Sequence, residues 1–301
     1  VGPENGGDAT TLLRRAHAAL NQSKNNGRHT YAVYTPDVPH VGREKILIEA
    51  SLKLAIEREE FVVRYQPQVD MRTGQIIGTE ALVRWCPPGE PEIPPGTFIP
   101  VAEDSGLIVT LGEWILRKGC ADVVERGGEG RPKRVDVNLF GRQLLDDGIV
   151  DTVSRALADT GIPPDCLELE ITETFLVENK AAGAKLRALK TLGVRVSIDD
   201  FGTGQSSLSR LKKLPIDKLK IDQAFVQGVT HDLSDASIAR TIIALATNLE
   251  LEILAEGVET PGQCHFLVNE GCAIGQGFLF SKAREAEHIL GMETLMPCPA
   301  H

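Results

Sequence analysis

The sequence predicts an α/β chain folded as a (β/α)8, TIM-like barrel whose first two strands pair antiparallel. Three observations predict it: a hairpin pattern over 61–85, a regular alternation of strand-like and helix-like segments from 135 onward, and polar residues at alternate positions of those strands. Eight strands over about 250 residues fit that barrel. The alternation alone leaves a doubly wound open sheet as the alternative.

In chain order, residues 8–35 read as a small unit. Leu12, Leu13, Ala16, Ala19 and Leu20 fall at helical spacing, Gly27 stands where a helix cap would, and Tyr31–Tyr34 reads as a short strand. Thr35–Gly42, with Pro36 and Pro39, reads as a hinge. Helical spacing resumes in EKILIEASLKLAIERE (44–59), followed by the strands FVVRYQP (61–67) and QIIGTEALVRW (75–85) around a Thr73-Gly74 turn. Pro87–Pro100 reads as a loop long enough to be suspected of function, with helices around Val101–Ser105 and Gly112–Glu125. Strand and helix then alternate: 135–140 with 142–159, 167–172 with 176–191, and 195–200 with 206–213. The series continues as 218–222 with 233–249, 252–258 with 260–269, and 273–280 with a last helix from Ala283.

The charge balance limits what such a barrel can bind. Lys and Arg total 32 against 42 Asp and Glu, a net charge of -10, which excludes long nucleic acids because their binding rests on a basic surface. A small phosphorylated ligand stays open if metal ions supply the positive charge. No apolar run approaches a membrane span and no secretory leader is present, so a cytoplasmic location is expected for this stretch. The first residue is Val1 rather than Met, so upstream sensory sequence is expected, and it could carry a membrane segment. The six cysteines form no C-x-x-C pair, which predicts core thiols in a reducing compartment rather than structural zinc. No G-x-G-x-x-G, P-loop or G-x-S-x-G is present, and the seven histidines are dispersed.

Candidate chemistry collects on the strand faces. Val135, Val137 and Leu139 oppose Asp136 and Asn138; Leu167, Leu169 and Ile171 oppose Glu168, Glu170 and Thr172; Leu219 and Ile221 oppose Lys218, Lys220 and Asp222. Glu80 and Arg84 share a face away from Ala81 and Val83, and Glu256 ends a further strand. RVSIDDFGTG (195–204) ends a strand in two adjacent aspartates, Asp199 and Asp200, before Gly202 and Gly204. Singly, each has a plain reading as a solvated edge residue or a turn. Together, carboxylates directed into one barrel mouth repel unless divalent cations and an anionic ligand offset them, and hard oxygen donors suit Mg2+ or Mn2+. From barrel logic alone, a Mg2+ enzyme that abstracts a proton from a carbon acid with Lys220 as base also stays open.

With these residues in place, the chain resembles the EAL family of cyclic di-GMP phosphodiesterases over about 42–290. The resemblance is carried by YQP (65–67), EALVRW (80–85), FIPVAE (98–103), VNLFGRQL (137–144), LELEITET (167–174), DDFGTG (199–204), LPIDKLKID (214–222), AEGVET (255–260) and QGFLFS (276–281). It implies that Glu80, Asn138, Glu170 and Asp199 hold a first metal ion, and that Asp200, bridging Asp199 and Glu256 hold a second. It implies Lys220, Glu256 and Gln276 as catalytic groups around the attacking water, with Glu173 anchoring the DDFGTG loop. Gln66, Leu82, Arg84 and Asp222 are implied as substrate-side residues. The implied reaction is hydrolysis of cyclic di-GMP to linear pGpG with two Mg2+ or Mn2+ ions, by a homodimer that pairs through the barrel; a receptor that binds without cleaving is the alternative. Phe140 stands where the family often has Ser, Gln205 where an aromatic is usual, QGF replaces QGY, and Ala273 replaces a common acid. Residues 1–41 resemble the end of a diguanylate cyclase (GGDEF) domain, leaving 42–290 as the barrel and 291–301 as a tail.

Overall fold

The computed structural model describes residues 41–126, 133–179, 181–204 and 211–298. The chain divides into two compact units, Val1–Glu57 and Arg58–His301. In the first, the described element is α1 (Val41–Glu57). The small unit expected at 8–35, residues 206–210 of the short helix expected at 206–213, and Gln205 lie outside the described residues.

In the second unit eight strands close a barrel in the order of the sequence: β1 (Phe61–Asp70), β2 (Ile76–Trp85), β3 (Arg134–Asn138), β4 (Leu167–Thr172), β5 (Arg195–Phe201), β6 (Lys218–Ile221), β7 (Glu252–Ala255) and β8 (Ile274–Gly275). The closed (β/α)8 architecture is therefore the observed one, and the open sheet is set aside. β1 is antiparallel to both β2 and β8, and the remaining neighbours are parallel. Because β1 runs against the others, its early residues lie at the end of the barrel where the other strands finish.

Parity along each strand follows the pleat. Val135, Val137, Leu167, Leu169, Ile171, Val196, Ile198, Leu219 and Ile221 are buried on the outer face against helices, each contributing about 1.5–3 kcal/mol. Asp136, Glu168, Glu170, Ser197, Lys218 and Lys220 occupy the inner face and are also buried.

Several expected elements are shorter or divided. The segment 87–100 is not all loop: α2 (Pro95–Ser105) starts on Pro95, because proline lacks only an N–H that the first helical turn leaves unbonded. α3 (Ile108–Arg126) begins earlier than expected. The helix expected over 142–159 is two, α4 (Gly141–Leu145) and α5 (Ile149–Thr160), interrupted where the Asp146 side chain accepts from Gly148 N. The one expected over 176–191 divides into α6 (Glu173–Glu178) and α7 (Ala182–Thr191).

KLKID ends as a strand at Ile221, and Asp222 caps the additional helix α8 (Gln223–Gly228) by accepting from Ala224 N at 2.6 Å. α9 (Leu233–Asn248) and α10 (Pro261–Asn269) follow the expected pattern. Only Ile274–Gly275 of 273–280 pairs as strand, and the last helix is the single turn α11 (Ala286–Ile289). All six cysteines are free, four of them buried.

Candidate active site

Glu80, Glu170, Asp199 and Glu256 converge on one ammonium. Lys220 Nζ, on β6 and fully buried, lies 2.7 Å from Glu170 Oε1, 2.7 Å from Glu256 Oε1, 3.3 Å from Asp199 Oδ1 and 3.6 Å from Glu80 Oε2. Burial alone would lower its pKa. The Asp199, Glu170, Glu256 and Glu80 charges outweigh that and hold it well above the ordinary lysine value.

One positive charge cannot balance four carboxylates, and the carboxylates respond. Burial, then Glu80, pushes Glu170 well above the usual carboxylate range against the pull of Lys220. Burial pushes Glu256 up to about 8, with Lys220 opposing and Asp199 and Glu80 adding. Burial, then Asp199 and Asp222, pushes Asp200 up to about 7.

Backbone geometry explains how two adjacent aspartates both face the site. On a regular strand Asp199 and Asp200 would point to opposite faces. Here the register with β6 shifts between Ile198 and Phe201, and Asp200 adopts a left-handed φ of 55°. Asp199, Asp200 and Glu256 can thereby each offer one oxygen within 4.8 Å of the others.

The donor set fits divalent cations. Both Glu170 carboxylate oxygens and Asp199 Oδ1 are buried without a hydrogen bond, although Lys220 stands near them. The rest are oxygen donors at the ends of parallel strands.

The other expected residues gather around this centre. Asn138 Nδ2 donates to Glu80 Oε1 at 3.0 Å. Gln276 Nε2 donates to Glu80 Oε2 at 2.6 Å and to Gln66 Oε1 at 3.3 Å. Glu173, at the start of α6, accepts from Gly202 N at 2.8 Å and Gly204 N at 3.3 Å, joining the end of β4 to the loop after β5. Asp222 stands beside Asp200 while capping α8.

Gln66, Leu82 and Arg84 line an open cleft of 580 Å3 together with Glu80, Glu256 and Gln276. Phe140 instead lines a smaller apolar cavity of 300 Å3 shared with Leu82, Arg84 and Asn138.

Three inner-face residues do not reach this centre. Lys218, Asp136 and Glu168 form a separate layer, with Lys218 Nζ 2.9 Å from Asp136 and 2.5 Å from Glu168. Gln68 donates to Asp136 at 2.5 Å, and Arg195 pairs with Glu168 at 2.9 Å.

The cleft also contains residues that sequence reasoning passed over, Arg64 and Glu92 among them. Arg64 shares the parity of Gln66 on β1 and was findable on that ground. Glu92 sits in the irregular stretch before α2, where no periodicity marks a direction.

The family model described as EAL domain matches residues 49–283. The chain is 40% identical over 290 residues to the bifunctional diguanylate cyclase/cyclic di-GMP phosphodiesterase MucR of Pseudomonas aeruginosa, covering 96% of this chain and 42% of MucR. It is 38% identical over 287 residues to the cyclic di-GMP phosphodiesterase PdeR of Escherichia coli, covering 95% of this chain and 43% of PdeR. It therefore spans less than half the length of these relatives. A solved c-di-GMP complex of the PaMucR phosphodiesterase superposes with a TM-score of 0.77 at 43% identity, over 81% of this chain and 99% of that one.

Proposed function

The chain belongs to the EAL domain family, and on that premise we propose that it is a metal-dependent phosphodiesterase that opens cyclic di-GMP to linear pGpG. The observation that carries the reading is Lys220 Nζ held among four carboxylates at the strand ends, in a set short of positive charge. A receptor that binds without cleaving would not need such a set, so the presence of all four carboxylates with Lys220 supports the catalytic reading.

Glu80, Asn138, Glu170 and Asp199 would hold one Mg2+ or Mn2+ ion, and Asp199, Asp200 and Glu256 the other. When bound, the ions would supply Lewis-acid activation of water and neutralise charge growing on the phosphoryl oxygens. Lys220, placed among the four carboxylates at the strand ends, is suited to orient the attacking water and to stabilise developing negative charge. Gln276 donates to the Glu80 carboxylate, and its own amide oxygen is buried without a hydrogen bond. Gln66, Leu82, Arg84 and Asp222 would contact the dinucleotide, and Glu173 would hold the 199–204 loop.

We read residues 1–41 as the end of a diguanylate cyclase domain, 42–290 as the catalytic unit and 291–301 as its tail, within a longer cytoplasmic protein acting as a homodimer. No helix among the described residues is long and apolar enough to cross a membrane.

The test is incubation of the purified chain with cyclic di-GMP and Mg2+ or Mn2+, with the nucleotides resolved chromatographically. The expected product is pGpG. Tight binding with no pGpG at any protein concentration would leave the receptor reading in its place.

A further inference from the structure

Two arginines in the cleft are already engaged by an anion that belongs to the chain itself. Across the β1–β2 hairpin Arg64 pairs with Leu82 and Val62 with Arg84, so Arg64 and Arg84 are diagonal neighbours on the inner face. Glu92 bridges them, giving Oε2 to Arg64 Nη2 at 3.0 Å and Oε1 to Arg84 Nε at 3.4 Å. All three line the 580 Å3 cleft with Gln66, Glu80 and Glu256. Burial lowers the Arg84 pKa and Arg64 lowers it further, so this pair needs an anion, which Glu92 provides.

The backbone around Glu92 is fixed. Ile93 N donates to Trp85 O at 2.8 Å in an isolated antiparallel bridge, and Pro91, Pro94 and Pro95 restrict the chain on both sides. The aromatic rings of Phe61, Trp85 and Phe98, with centroids 5.6–5.8 Å apart, lock the start of the hairpin to α2. Glu92 can leave the arginines by rotating its side chain, without the loop opening.

Cyclic di-GMP carries two phosphodiesters, of which one is cleaved among the carboxylates. The second needs a cation, and paired planar guanidiniums match its oxygens. Among the described cleft residues the other cation is Lys282, which is stacked over the Phe278 ring at 5.1 Å.

Resting on the phosphodiesterase reading above, we propose that Glu92 is a built-in stand-in for the phosphodiester that is not cleaved. It holds Arg64 and Arg84 together in the free chain and yields them to that phosphodiester when the dinucleotide binds. Part-exposed ion pairs are individually weak, so the exchange is small in energy and reversible. The role is one of positioning and selection, since a ligand without a second anion gains nothing in return for displacing Glu92.

Steady-state kinetics of Glu92→Gln with Mg2+ and cyclic di-GMP tests this. KM is expected to fall about threefold to tenfold, the range for two part-exposed ion pairs, and to fall by more than any change in kcat. KM of Glu92→Gln should also rise more steeply with salt than that of the natural chain, because uncompensated arginines bind the phosphate through a stronger screened attraction. Glu92→Asp, too short to reach both guanidiniums, should lie between the two. An unchanged or raised KM in Glu92→Gln, or a loss confined to kcat, overturns the proposal while leaving the substrate reading intact. A natural chain that neither binds nor cleaves cyclic di-GMP overturns the substrate reading and this proposal with it.

Discussion

Lys220 is the residue on which the charge balance of the site turns. It is fully buried, and among the described residues it is the cation within ion-pair reach of Glu80, Glu170, Asp199 and Glu256. Removing one partner from a buried ionic cluster leaves uncompensated charge, at about 3–5 kcal/mol. Lys220→Ala is therefore expected to abolish the proposed phosphodiesterase activity and to destabilise the metal-free chain by about that amount, with millimolar Mg2+ restoring most of it; thermal melts with and without Mg2+ check this. The sign of the pH dependence follows from the raised carboxylates. Asp200 at about 7 and Glu256 at about 8 hold protons when folded that the unfolded chain releases near pH 4, so the folded state binds more protons across that interval. Stability of the metal-free chain should fall as pH rises from about 4 to about 8. Metal affinity should rise over the upper part of the same interval, because cations displace those protons. Melting curves at several pH values and titration calorimetry in two buffers measure both effects, and a metal affinity indifferent to pH would refute the assignment of Asp200 and Glu256 as ligands.

At the level of elements, the end of β5 shows how a loop is made part of a site. Gly202, at a φ of 104°, and Gly204 direct their amides at Glu173, and a Cβ on Gly204 would meet the Glu173 carboxylate at 2.9 Å. Glu173→Ala removes both acceptors. It should lower stability by about 1–3 kcal/mol, speed hydrogen exchange at the 202 and 204 amides, and reduce activity. Glu173→Gln keeps one oxygen toward the amides and should lie closer to the natural chain. Only the family resemblance points to this anchor, since nothing in the periodicity links Glu173 to a loop 29 residues on. The divided helices are illegible for a related reason: neither Asp146-Asp147-Gly148 nor the stretch between Glu178 and Ala182 carries a proline, and the pattern of apolar residues continues across them. The parity of Asp222 continues KLKI and predicts a strand residue, whereas its carboxylate closes the first turn of α8.

For the whole molecule, alternation of apolar and polar residues made the barrel legible, because each strand must satisfy helices outside and the lumen inside. Alternation gives the face but not the depth, and the inner face holds two ionic layers. The layer of Lys218, Asp136, Glu168 and Gln68 is closed: Lys218 is fully buried, and burial, which would lower its pKa, is outweighed by Asp136 and Glu168. Gln68 belongs to it because β1 runs against the other strands and carries its later residues deeper. The layer of Lys220 is open to the cleft and short of positive charge. The two lysines stand two residues apart on β6, so sequence spacing cannot assign one to structure and the other to chemistry; their partners do. Lys218→Met should therefore destabilise the chain by about 3–5 kcal/mol, as Lys220→Ala does, because Asp136 and Glu168 lose their buried counter-charge. Added Mg2+ should not rescue Lys218→Met, since its acids already face Gln68 and Arg195 within a sealed layer. Parallel melts of the two variants across a Mg2+ titration decide the matter. Equal rescue of both would mean that the layers exchange ions and that the barrel is not divided into a scaffold layer and a site layer.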